Sequence, residues 1–176
     1  MRETWLIDGY NILNAMDLRS AASFDHARDQ LLDDVVDYAG YTQTRCGLVY
    51  DAHHVDHGAG MERPIDGADV TLVYTRADES ADAYIERQCA LLTARGETVR
   101  VVSGDGLIQH IILGLGGLRM PPREFLQTLE QTRLARRKAH AAVATRHDLY
   151  GRLDRSTLAS LERLRLAREE ESPDVL

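Results

Sequence analysis

Three times along this chain a short apolar run stops at an acid. Trp5-Leu6-Ile7 gives way to Asp8, Cys46 to Tyr50 gives way to Asp51, and Thr98 to Ser103 runs into Gly104-Asp105-Gly106. Continuous apolar runs of this length are typical of strands buried on both faces of a parallel sheet. Between them lie stretches with helical periodicity, so the order of elements points to an α/β domain. In open α/β sheets ligands bind at the carboxyl ends of the strands, and these acids therefore stand at the mouth of a site. In the first of them, Gly9 lets the backbone turn sharply and Asn11, one turn on, is placed to orient what Asp8 holds. A second account stays open for this stretch, because Asp and Asn are also common helix caps.

The rest of the chain fits that frame. Asp25 to Tyr41 reads as an amphipathic helix, with Leu31, Leu32, Val35, Val36 and Ala39 on one stripe, Ser23 or Asp25 as its cap and Gly40 as its end. Asp51 to Gly67 reads as a mobile polar loop containing His53, His54 and His57, residue types able to ligate zinc but without helical pair spacing. Asp51 and His53, nearest the strand end, are the two expected to edge the site. Asp69 to Thr75 is a further strand. Asp78, Glu79 and Asp82 open a helix to Arg95 whose buried stripe is Ala81, Ile85, Cys89 and Leu92. An acid in a first turn also answers the helix dipole, which alone would account for Asp82. Leu107 to Leu113 is a short apolar helix carrying Gln109 one turn after Asp105, and Leu118 to Met120 a short edge strand. A helix then runs from Arg123 to about Ala144, a last one spans Ser156 to Glu170, and 171–176 form a frayed tail. The domain is accordingly drawn as 1–150, with the terminal helix over 151–170 packed on or extending it.

Composition narrows the class. At 176 residues, 44% hydrophobic and 28% charged, the chain can bury a real core and has no apolar run near the roughly 20 residues that span a bilayer. A strand begins within four residues of Met1, leaving no room for a signal peptide, and Cys46 and Cys89 lack metal spacing. A cytoplasmic protein with no membrane partner is expected. The net charge of −7 argues against bulk electrostatic binding of nucleic acid, yet residues 119–155 carry nine basic groups against four acids. That window is +5 and leaves −12 elsewhere. Arg133, Arg136 and Arg137 form a candidate phosphate-binding patch, or else a solvated helix face. Gly114-Leu115-Gly116-Gly117 is too irregular for a dinucleotide fingerprint and lacks the P-loop Lys and Ser/Thr, so no nucleotide cofactor is expected.

If the strands ending in Asp8 and Asp105 are neighbours, Asp82 joins them over one crevice. Two unit charges about 4 Å apart repel by roughly 4 kcal/mol at an effective dielectric near 20, so such a cluster takes up protons or a cation. Hard oxygen donors without cysteine select Mg²⁺ or Mn²⁺, and the chemistry that follows is phosphodiester hydrolysis.

Asp8-Gly9-Tyr10-Asn11, Tyr50-Asp51-Ala52-His53, Glu79 to Glu86 and Ser103-Gly104-Asp105 resemble, in order, the YacP-like branch of the NYN domains in the PIN-like nuclease superfamily. The resemblance covers roughly residues 1–145 and is expected to take in the C-terminal helix as well. It implies a PIN-like three-layer α/β/α sandwich with a mostly parallel central sheet, and a divalent-metal endoribonuclease. At least one branch of the family is ribosome-associated and cleaves mRNA. Carried over by position, Asp8, Asp82 and Asp105 are the catalytic and metal-binding acids, with Asn11, Asp51 and Ser103 supporting them. Gly104 departs from the family, which places the serine directly before the acid. RNA, and mRNA on the ribosome, are thus the expected partners. The alternative is a catalytically weak RNA- or ribosome-binding module that keeps the same shell.

Overall fold

Side-chain alternation along the first strand already separates two cores. In β1 (Glu3–Asp8), Trp5 and Ile7 face one cluster of buried side chains and Leu6 the other. The computed structural model describes residues 3–16, 23–52, 60–152 and 163, the side chains from 142 to 152 excepted. The expected helix over 156–170 and the tail at 171–176 thus lie outside the described residues, but for Arg163. So does the histidine-rich stretch from His53.

β1 is flanked by β2 (Arg45–Tyr50) and β5 (Thr98–Val102). Beyond them lie β4 (Val70–Tyr74) and β6 (Leu118–Met120), and β3 (Met61–Pro64) closes one edge in the order β3-β4-β2-β1-β5-β6. All pairings are parallel except β3 with β4. α1 (Gly9–Ala15), α2 (Phe24–Thr42) and the start of α5 (Pro122–Arg152) cover the Trp5–Ile7 face through Ile12, Leu13, Leu31, Val35 and Phe125. α3 (Ala81–Ala94) and α4 (Gly106–Gly114) cover the Leu6 face through Ile85, Cys89, Ile108 and Ile112. The result is a three-layer α/β/α sandwich. Full burial of side chains such as Ile7, Ile12 and Leu13 contributes about 1.5–3 kcal/mol each before entropy is counted.

Three elements differ from expectation. The stretch after Asp8 is a helix rather than a loop: Asp8 caps it and packing of Ile12 and Leu13 holds it. Gly9 accordingly does not serve as a sharp-turn glycine. It lies beneath the Tyr50 ring, where a Cβ would come within 2.2 Å of Cε1, so bulk rather than torsion demands glycine there. Second, β3 arises within the stretch expected to be loop, as an exposed edge strand paired with β4. Third, α5 continues to Arg152, past the expected end near Ala144.

Contacts divide the chain into two compact units, Met1–Arg133 and Leu134–Leu176. The first holds the sheet and both cores. In the second, the described side chains from Leu134 to Ala141, all on α5, are exposed or half-exposed. No helix among the described residues is long and apolar enough to cross a membrane.

Candidate active site at the switch point of the sheet

The chain leaves β1 for β2 and β4 on one side, then crosses back to build β5 and β6 on the other. The carboxyl ends of β1 and β5 therefore mark the switch point, where a parallel sheet opens a crevice. Ile7 pairs with Val102, so Asp8 and the loop after β5 emerge side by side. Alternation also sets direction: Asp8 follows Leu6 on the α3/α4 face, and Ser103 follows Val99 and Val101 on it.

Asn11 ties the two strand ends together. Its backbone N–H donates to Asp8 Oδ1 at 3.0 Å, its Nδ2 donates to Asp8 Oδ2, and its Oδ1 accepts the Gly104 N–H at 3.1 Å. A Cβ at residue 104 would stand 2.7 Å from Asn11 Oδ1. Gly104 is thus the residue that lets this bridge close. Asp105 caps α4, its Oδ1 accepting the N–H groups of Leu107 (2.7 Å) and Ile108 (3.2 Å). Fully buried Ser103 accepts the Asp105 N–H at its hydroxyl. Gln109 donates to the Ser103 carbonyl at 2.7 Å and accepts from Arg119 at 2.8 Å. Both accounts of Asp8 therefore hold together: it caps a helix and it stands at the crevice.

Burial pushes the Asp8 carboxyl above the usual range, with the Asp51 charge adding to the rise against hydrogen bonds from Asn11 and the Tyr10 N–H. Only 4% of Asp8 is exposed, which is why desolvation dominates. Half-buried Asp82, in the first turn of α3, is raised by burial first. The charges of Asp8, Asp105, Glu86 and Asp51 then add to it. Chain segments far apart in sequence thus bring Asp8, Asp51, Asp82 and Asp105 within electrostatic reach. Glu86 was not singled out from the sequence, although the signal was present: it follows Asp82 by four residues and so shares its helix face.

Among the described residues no three His, Cys, Asp or Glu side chains are gathered closely enough to hold an ion directly. Asp8 spends both oxygens on Asn11, and Asp105 spends Oδ1 on α4. The all-carboxylate donor chemistry suits Mg²⁺ or Mn²⁺, which keeps several waters and needs only one or two direct carboxylates. Asp8, Asp82 and Asp105 are the residues that could hold it, with Glu86 beside Asp82.

Arg133 is exposed and acts electrostatically on Asp34 of α2, while Arg136 and exposed Arg137 fall in the second compact unit. His53 lies outside the described residues.

A mostly parallel α/β/α sandwich with acids over its switch point defines a PIN-like domain. The chain belongs to the YacP-like NYN domain family, whose model matches residues 5–166; NYN domains are in general nucleases. It is 36% identical over 138 residues to "Uncharacterized protein YacP" of Bacillus subtilis (strain 168), covering 75% of this chain and 79% of that protein. Among solved structures it resembles Rae1 (YacP) from Bacillus subtilis, with a TM-score of 0.67 and 28% identity over 97% of this chain and 99% of that one. A tryptophan-to-leucine mutant of that protein gives a TM-score of 0.65 and 30% identity, covering 80% and 82% of the two chains.

Proposed function

We propose that this chain is a Mg²⁺- or Mn²⁺-dependent endoribonuclease that hydrolyses RNA phosphodiester bonds, with mRNA at the ribosome as its substrate. The observation that supports this most is the grouping of acids from separate elements: the Asp82 carboxyl, raised first by burial, is raised further by the charges of Asp8 and Asp105. Acids delivered by three elements into mutual repulsion cost stability, and a divalent cation offsets that cost. When bound by Asp8, Asp82 and Asp105, the metal would polarise the phosphodiester and acidify a water. The remaining work falls to side chains. Asn11 fixes the rotamer of Asp8, while Ser103 and Gln109 fix the loop that carries Asp105. Arg133, Arg136 and Arg137 are proposed to dock on ribosomal RNA.

Incubation of the purified chain with end-labelled single-stranded RNA and Mn²⁺ tests the reading. Internal cuts that EDTA and Asp82→Asn both abolish are expected; cutting unaffected by either would refute it. One observation favours the second reading, a binding module: Asp8 and Asp105 already have structural work as helix caps. Calorimetric titration with Mn²⁺ separates the two, because a pure binding module has no need of the ion.

A further inference from the structure

Phosphates are poorly served at this edge of the molecule. Asp8, Asp51, Asp82, Glu86 and Asp105 stand in electrostatic reach of one another, and Asp25 and Asp29 open α2 nearby in sequence to the aromatic groups described next. The part of RNA that such an acidic surface does not repel is the uncharged face of a base.

Four aromatic rings form a ladder at the carboxyl ends of the strands. Tyr10, two residues after Asp8, lies nearly parallel to Phe24 at the first position of α2, with centroids 5.8 Å apart and 17° between planes. The Tyr10 ring meets Tyr50, the last residue of β2, edge-on at 5.2 Å. Tyr50 in turn stacks on Tyr74, the last residue of β4, at 5.8 Å and 24°. The ladder is buried at its Tyr50 rung, which is 1% exposed, and open at one end, where Phe24 is 44% exposed. Arg28, one turn after Phe24, pairs with Asp25 and sets its charge against Tyr10 and Tyr74. Pinning α2 to α1 needs only one face of Phe24. The Phe24 side chain stays exposed beyond that contact. The ladder adjoins the acidic crevice along the chain, because Tyr10 follows Asp8 by two residues and Tyr50 directly precedes Asp51.

We propose that the outer face of Phe24, backed by Tyr10, is a stacking platform for one unpaired base of a single-stranded RNA whose backbone passes the acidic crevice. This rests on the ribonuclease reading and extends it to substrate form, because a base can stack there only when it is out of a duplex.

Phe24→Trp in the full chain provides the probe, since the only native tryptophan, Trp5, is buried. Emission is read by stopped flow with Mn²⁺, before cleavage proceeds, against a single-stranded RNA oligonucleotide and its duplex. Saturable quenching by the single strand, and little by the duplex, is expected. Phe24→Ala should weaken single-strand affinity by about 5- to 100-fold, the range for losing one base–aromatic stack, while Phe24→Trp should retain it. Binding and cleavage of the single strand without quenching, with Phe24→Ala at full affinity, would overturn the platform and leave the ribonuclease standing. Equal quenching by the duplex would also overturn it. Neither binding nor cleavage by the unsubstituted chain would overturn both readings at once.

Discussion

Asp8→Asn replaces a buried carboxylate with a close copy of its protonated form, so its effect on stability follows from the direction of the Asp8 shift. A carboxyl raised above its ordinary 3.8 binds its proton more tightly in the folded chain than in the unfolded one. Stability is then fully present below 3.8 and lost as pH rises through the folded value. The amide does not titrate and escapes this loss. Each unit by which the folded pKa exceeds the unfolded one is worth about 1.4 kcal/mol, or about 3–5 °C in Tm for a chain of this size. One cost opposes the gain. The amide NH₂ must face a donor, either the Asn11 backbone N–H or its Nδ2, at about 1 kcal/mol. Melting curves from about pH 4 to pH 7.5 read the balance: the Tm difference, variant minus parent, should grow more positive as pH rises. Saturating Mn²⁺ should stabilise the parent, by about 2.7 kcal/mol at a hundredfold excess over Kd, and so raise its Tm more than the variant's. RNA cleavage should be lost in the variant. A Tm difference that is flat in pH, or falls as pH rises, would refute the picture of Asp8 as a carboxylate held against its own burial.

Gly104→Ala drives a Cβ into Asn11 Oδ1 and should break the bridge between strand ends, costing about 1–3 kcal/mol in thermal melts and lowering cleavage; an unchanged Tm would show that Asn11 needs no such partner. Glu86→Gln removes a charge that raises Asp82, so the acid limb of the pH–rate profile should move to lower pH and Mn²⁺ affinity should fall. A superimposable profile would remove Glu86 from the site. Replacing Arg133, Arg136 and Arg137 with Gln should flatten the salt dependence of RNA binding, by about 0.7 in log–log slope for each phosphate no longer neutralised. An unaltered slope would leave these arginines as helix solvation.

Where the chain is buried on both faces, the sequence was easy to read. β1, β2, β4 and β5 are mostly apolar runs, Arg100 in β5 excepted, and α2, α3 and α4 keep a 3.6-residue stripe, because the sheet interior selects apolar side chains. α1 was not legible. Gly9 and two asparagines in seven residues lower its helix propensity, and the helix forms because Asp8 caps it and Ile12 and Leu13 are fully buried. β3 was not legible either: Met-Glu-Arg-Pro is exposed throughout and belongs to the sheet only through its backbone pairing with β4. In the candidate site, the acids at element ends were visible as residues, and their grouping could be drawn only on the condition that the strands ending in Asp8 and Asp105 are neighbours, since it depends on the strand order. Asn11 was expected to orient a ligand. Its bridge to Gly104 depends on a residue 93 positions away, which no local pattern encodes.

The central strand is also the first in chain order among the described strands. β1 finds its partner β2 about forty residues later, but Glu3 pairs with Thr98, and the bridge from Asn11 must wait for Gly104. Contacts of such long sequence separation close late in folding. Asp8 and Asp105, separated by most of the domain, therefore cannot be assembled by any N-terminal fragment. A nascent chain of the proposed ribonuclease would be inert toward its own message until more than a hundred residues had left the ribosome. Latency during synthesis would follow from strand order.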